Sequence, residues 1–168
     1  MDLVQIVLRV IHIGAGIFWV GSAVFASFFL QPAAGALGPQ GGAVMAYLNE
    51  KRRLPGITGV SAVLTIAAGI WLYWRESGGF DRDWISSDVG IGFTVGALAA
   101  IAAFVLGLAV FRPSGERMRT LLAETQGAPS PEQAQQIAAL QERLRRLGLV
   151  NVMLLIVAVI AMASARFL

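Results

Sequence analysis

Four long apolar stretches dominate this 168-residue sequence and leave little choice of architecture. They run from about 3 to 30, 54 to 74, 89 to 111 and 147 to 167. A helix that crosses a bilayer needs about 20 mainly apolar residues, and each stretch meets that length. The runs are continuous and rich in Ala, Leu and Gly. They lack the short apolar/polar alternation of barrel strands, so helices are expected. Hydrophobic residues make up 57% of the chain and charged residues 14%, against about 45–50% and about 25% in soluble domains. A chain this small has too much surface to hide such an excess in one core. The sequence therefore predicts a single all-α domain over 1–168, a polytopic integral membrane four-helix bundle, and excludes a soluble enzyme or a disordered tail. The first stretch is too long for a cleaved signal peptide and starts at Asp2 without a basic cluster.

Charge sets the expected orientation. Lys51, Arg52 and Arg53 lie between spans one and two. Arg112, Arg117, Arg119, Arg143, Arg145 and Arg146 lie between spans three and four. With four spans these two loops share a side, and the positive-inside rule assigns that side to the cytoplasm. Both termini then lie outside, as in a bacterial inner-membrane protein. Trp71, Trp74 and Trp84 fall at the outer boundary, where amphipathic rings prefer to sit. The isoelectric point near 10.2 follows from this asymmetry. No nucleic-acid-binding motif accompanies it, so nucleic acid is not an expected partner and the lipid bilayer is.

The segment at about 113–146 is expected to form a cytoplasmic helical hairpin that extends spans three and four. Met118, Leu121 and Leu122 mark one side of its first helix, and the residues 126–131 read as a turn. Ser130-Pro131-Glu132-Gln133 has the pattern of a helix start, with Ser at the N-cap, Pro at N1 and Gln at N3. Ile137, Leu140, Leu144 and Leu147 then recur at helical spacing, and the helix should run unbroken into span four. The hairpin can serve as a stiff tie between two spans or as a docking surface for another protein. The run Glu142 to Arg146 can also lie against anionic headgroups.

Candidate functional residues concentrate in span one. Gln5, Arg9, His12, Gly16, Trp19 and Ala23 fall on one helical face, flanked by Ala15 and Ser22, while Ile11, Ile13, Phe18, Phe25 and Phe28 form the other. A polar and small stripe inside a span should face the bundle interior. His12 lies about 13 Å of helix rise into the span, and it is the one histidine in the chain. It can donate an interhelical hydrogen bond, bind haem iron through a ring nitrogen, or act as a proton relay or copper ligand. On the haem b reading Arg9 pairs with a propionate, Gly16 leaves room for the macrocycle and Trp19 lines the pocket. The second axial position would fall to Met162, to a second His12 in a homodimer, or to no residue. A Met packed in the core is the plainer account of Met162. Asn151, about one turn inside span four, is expected to make an interhelical hydrogen bond. The small residues Gly92, Gly96 and Ala100 on span three, and Gly59, Ala62 and Gly69 on span two, predict close helix packing.

Several motifs carry a family resemblance. His12 followed by Trp19 and Gly21, with Pro32 after an aromatic stretch, resembles the first span of copper-resistance protein D (CopD)-like membrane proteins, and the same pattern is similar to that of HemJ-type protoporphyrinogen oxidases. Lys51-Arg52-Arg53, Phe111-Arg112-Pro113 and the run Arg145 to Asn151 are similar to small CopD-like proteins. The resemblance implies a small helical bundle, haem b bound through His12, and oligomerisation. Span three lacks the Lys of HemJ-type enzymes, which argues against porphyrinogen oxidation. The absence of Cys and the scatter of the five Met residues argue against Cu(I) transport. No span holds a nucleophile–base pair, and no Gly-rich phosphate loop is present. The expected function is therefore haem-b binding with a redox, electron-transport or porphyrin-handling role. The alternative is a non-enzymatic scaffold or accessory subunit of a larger membrane complex, with His12 structural.

Overall fold

In the computed structural model, residues 2–125 and 129–168 are described, and among them no strand occurs. The first helix, α1 (Leu3–Phe25), begins where the Asp2 carboxylate accepts the backbone N–H of Gln5 at 2.9 Å. That bond, with Arg75 beside it, holds the Asp2 carboxyl below its ordinary range. α1 does not stop at the expected boundary near residue 30. It passes through a π-helical turn at Ala26–Leu30 and continues as α2 (Gln31–Ala36). Pro32 explains the slip. Proline has no N–H, and its ring collides with the carbonyl four residues back. The backbone relieves this by a one-residue register shift, in which Gln31 N–H bonds Ala26 O, five residues back.

The chain then reverses at Gly38 into α3 (Pro39–Ala46), passes a further π turn at Tyr47–Lys51 and enters α4 (Leu54–Glu76). The short α5 (Arg82–Ile85) is capped by Asp81, and α6 (Asp88–Leu106) by Ser87. α6 repeats the behaviour of α1. A π turn at Gly107–Phe111 precedes Arg112-Pro113, and α7 (Arg112–Glu124) follows with no break. Pro113 thus neither ends the span nor opens a separate helix. The turn expected at 126–131 lies partly outside the described residues, at 126–128. α8 (Pro131–Ser164) carries the expected capping box between Ser130 and Gln133, and runs unbroken for 34 residues, about 50 Å. The chain ends in a short 3₁₀ turn at Ala165–Phe167. α7 packs on α8 and buries Ser114 and Leu121 there, whereas Leu122 stays exposed.

Four helical runs are long and apolar enough to cross a membrane: Leu3–Ala36, Leu54–Glu76, Asp88–Glu124 and Pro131–Phe167. They associate as two close pairs, α1 with α4 and α6 with α8, joined through α1–α8 and α4–α6 contacts. Where the pairs meet, one residue from each helix forms a buried layer: Trp19, Ala62, Ala103 and Leu155. The three other helices offer small or slender side chains there, so the indole fills the centre. It meets Phe104 edge-on at 6.4 Å. Ala99, Ala100 and Ala158 form a second small cluster with Ile66 packed against it. The outer faces are apolar. Ile13, Phe18, Phe25 and Phe28 are exposed, and Ile11 is half-buried.

Candidate functional site

The polar stripe of α1 turns inward onto α4. Gln5 and Trp19 are buried, and Arg9, His12, Ala15, Gly16, Ser22 and Ala23 are half-buried. His12 is seated on Gly69 of α4. A Cβ at Gly69 would lie 2.8 Å from His12 Cε1 and 3.0 Å from Nδ1, so the imidazole occupies the space that a side chain there would fill. This close approach brings Nδ1 to 2.8 Å from the Thr65 carbonyl oxygen. A carbonyl accepts and never donates, so the proton resides on Nδ1. In the neutral ring Nε2 is then the nitrogen with the lone pair, and no partner for it occurs among the described residues. Thr65 sends its own hydroxyl to Ser61 O at 2.8 Å, which holds its side chain against α4.

One end of the same seam carries a charged cluster. The Arg9 guanidinium pairs with the Glu76 carboxylate. Glu76 also accepts from Gln5 Nε2 at 3.3 Å and from Arg166 Nη2 at 3.5 Å. Arg75 pairs with Asp2 at 2.6 Å and lies over the Trp71 ring. One carboxylate therefore ties α1, α4 and the C-terminal turn together. Next to this cluster, on the α4–α6 side, Tyr73 and Thr94 share a hydroxyl–hydroxyl bond at 2.6 Å.

The five residues expected around a haem are not gathered about one space. Gly16 faces Thr65, whose Cγ2 is 3.5 Å from the position of a Cβ, so a methyl would fit between them at ordinary contact but nothing larger would. Trp19 belongs to the central layer between the pairs. Met162 is seated on Gly96 of α6, where a Cβ would meet its Cγ at 2.6 Å. His12 and Met162 thus lie in different seams. Arg9 meets a propionate only in exchange for Glu76. The chemistry of His12 itself fits an axial ligand. An Nδ1–H bonded to a backbone carbonyl fixes the tautomer and makes Nε2 the metal-binding atom, as in histidines that ligate metals. Among the described residues no group of three or more His, Cys, Asp or Glu comes together to hold a metal ion.

Asn151 departs from expectation. It is buried, yet its Oδ1 has no hydrogen-bond partner among the described residues. Contact between α8 and the π turn of α1 runs instead through Gly148, whose Cβ position is 3.3 Å from Ser27 Oγ. Sequence reasoning also missed Thr65 and Glu76. A signal for each existed. Thr65 and Gly69 stand four residues apart, on one face of an otherwise apolar run. An up-and-down bundle places the end of span two beside the start of span one, and so Glu76 beside Gln5 and Arg9. Comparisons with protein families, curated proteins and solved structures give no match to this chain.

Proposed function

We propose that this chain is an integral membrane protein that binds haem b through Nε2 of His12 and serves a redox or haem-handling role. The observation that carries the reading is the 2.8 Å bond from His12 Nδ1–H to Thr65 O, which orients the ring and leaves the other nitrogen for iron. The resemblance of the first span to CopD-like proteins supports it. Bound haem supplies one-electron chemistry at its iron. Thr65 fixes the proton on Nδ1 and strengthens Nε2 as a donor. Gly69 lets the ring lie flush against α4. Glu76 holds Arg9 one turn from His12, where the guanidinium can exchange the carboxylate for a propionate. With Met162 in the other seam, a second ligand would come from His12 of a second copy or from no residue. The concentration of nine of the 13 basic residues in the connections between spans one and two and between spans three and four supports a bacterial inner-membrane protein, with that side cytoplasmic and both termini outside.

The test is optical. Protein purified in detergent and supplied with haem should show a Soret band that His12→Ala removes while the elution profile is unchanged. A wild-type preparation that stays colourless after haem is added overturns the reading. A second reading rests on a different observation. Arg9 and His12 both have partners within the chain, Glu76 and Thr65, as they would in an accessory subunit of a larger membrane complex where His12 only joins α1 to α4. A colourless wild type that co-purifies stoichiometrically with one partner favours that account.

A further inference from the structure

The far end of α8 carries a feature that the α1–α4 seam does not use. A shallow, wide-open groove of about 550 Å³ lies on one flank of this helix, lined by its own residues Ala139, Glu142, Arg143, Arg146 and Leu147. The positions 139, 143, 146 and 147 recur at helical spacing, so they form one stripe. The stripe straddles a boundary. Leu147 opens the apolar run of the span, and Ala139 lies about 12 Å further along the axis. That length covers the headgroup layer of a bilayer and the first acyl carbons.

The charges are arranged for an anion. Glu142 accepts from Arg145 Nε at 2.8 Å and from Arg146 Nε. Bonds from Arg145 first, and then Arg146, hold its carboxyl down to about 2. It stays ionised and cancels one of the three arginines of the segment 142–146. Arg143 has no ion-pair partner among the described residues and is exposed. Arg146 gives only its Nε edge to Glu142, so its terminal nitrogens remain for a second acceptor. A guanidinium matches a phosphate by paired N–H donors, and Ala139 and Leu147 give the groove apolar lips. We propose that this groove binds an anionic phospholipid, with the phosphate on Arg143 and Arg146 and an acyl chain against Leu147. Charge complementarity at headgroup depth selects this occupant. A soluble acidic protein would meet Leu147 inside the bilayer.

The experiment uses the full chain in nanodiscs of phosphatidylcholine, with and without phosphatidylglycerol, followed by native mass spectrometry of the retained lipid. Wild type should retain phosphatidylglycerol in preference to phosphatidylcholine. Each arginine near a charged surface contributes about a fivefold effect, so Arg143→Gln with Arg146→Gln should lose about 25-fold. Arg117→Gln with Arg119→Gln on α7 removes the same charge from the same end and should lose little. Ala139→Trp fills the groove without removing a charge and should displace the lipid, which guards against a fold defect in the double variant. Equal loss in the two double variants would show a diffuse field and overturn the site. So would retention that Ala139→Trp does not change. Ala139→Cys, in a chain with no other cysteine, reports the remaining occupant. Disulfide dimers in phosphatidylcholine that phosphatidylglycerol leaves undiminished would place a second copy there and overturn the proposal.

Discussion

The two helix pairs of this bundle use the same packing device in opposite senses. In the α6–α8 pair the glycines Gly92 and Gly96 are on α6, and the side chains that press into them, Ala165 and Met162, come from the C-terminal helix and turn. No side-chain hydrogen bond joins α6 to α8 among the described residues, and dispersion closes the seam. In the α1–α4 pair the notch is Gly69, and the group that enters it is an imidazole that hydrogen-bonds the neighbouring backbone. Gln5, Arg9 and Glu76 extend that polar contact to the end of the bundle. Lipid offers no hydrophobic gain for joining helices, so a seam holds by close fit, by hydrogen bonds, or by both. A seam of close fit alone needs shape and nothing else. A seam that carries polar groups must satisfy each one, and an unshared nitrogen within it is where chemistry can occur.

The comparison breaks most readily at Gly92. A Cβ there would lie 2.8 Å from Ala165 Cβ and 3.0 Å from its Cα, against backbone that cannot swing aside. Gly92→Leu should destabilise the protein by about 1–3 kcal/mol, or prevent folding, as overpacking does. Thermal unfolding in detergent measures it, and an unchanged midpoint would remove the close-fit account of the α6–α8 seam. Asn151 is the next largest. Its buried Oδ1 has no partner, so Asn151→Leu should be neutral or should raise stability by about 1 kcal/mol. A loss of that size would show that the amide is paired in the membrane.

Gly69→Ala sharpens the contrast from the polar side. The added methyl meets the end of a mobile side chain and not backbone, so the ring moves aside. The cost should be close to one membrane hydrogen bond, about 0.6 kcal/mol. Haem affinity should fall further than stability does, because Nε2 loses its orientation. The smallest effect concerns the clasp outside both seams. Glu142 is held at about 2, below the ordinary 4.5 of a glutamate. Its contribution is therefore complete above about 4.5 and disappears as the pH falls through about 2. Acid titration of wild type against Glu142→Gln should converge at the low end and differ slightly above it.

Hydropathy made the four long apolar helices legible, and the capping box at Ser130 stands as its pattern predicts. The inward stripe of α1 was legible because helical spacing alone decides which residues share a face. Pairing was not legible. Gly69 and Gly96 look alike in sequence, and only the assembled helices decide that an imidazole fills one notch and a thioether the other. Met162 illustrates the cost of this. Its depth suits an iron ligand, but its seam is the wrong one for His12. The continuation of α1 and α6 past their prolines was also hidden. A π turn absorbs the missing N–H, and nothing in composition separates a slipped turn from a helix end.

The claim on which the functional account depends is that Nε2 of His12 is the atom that holds iron. Replacing the ring by a space and then returning free imidazole tests that atom alone. His12→Gly should bind haem weakly, and added imidazole should restore the wild-type Soret band by occupying the position beside Gly69. Haem binding that is the same in wild type and His12→Gly, with or without imidazole, would contradict it.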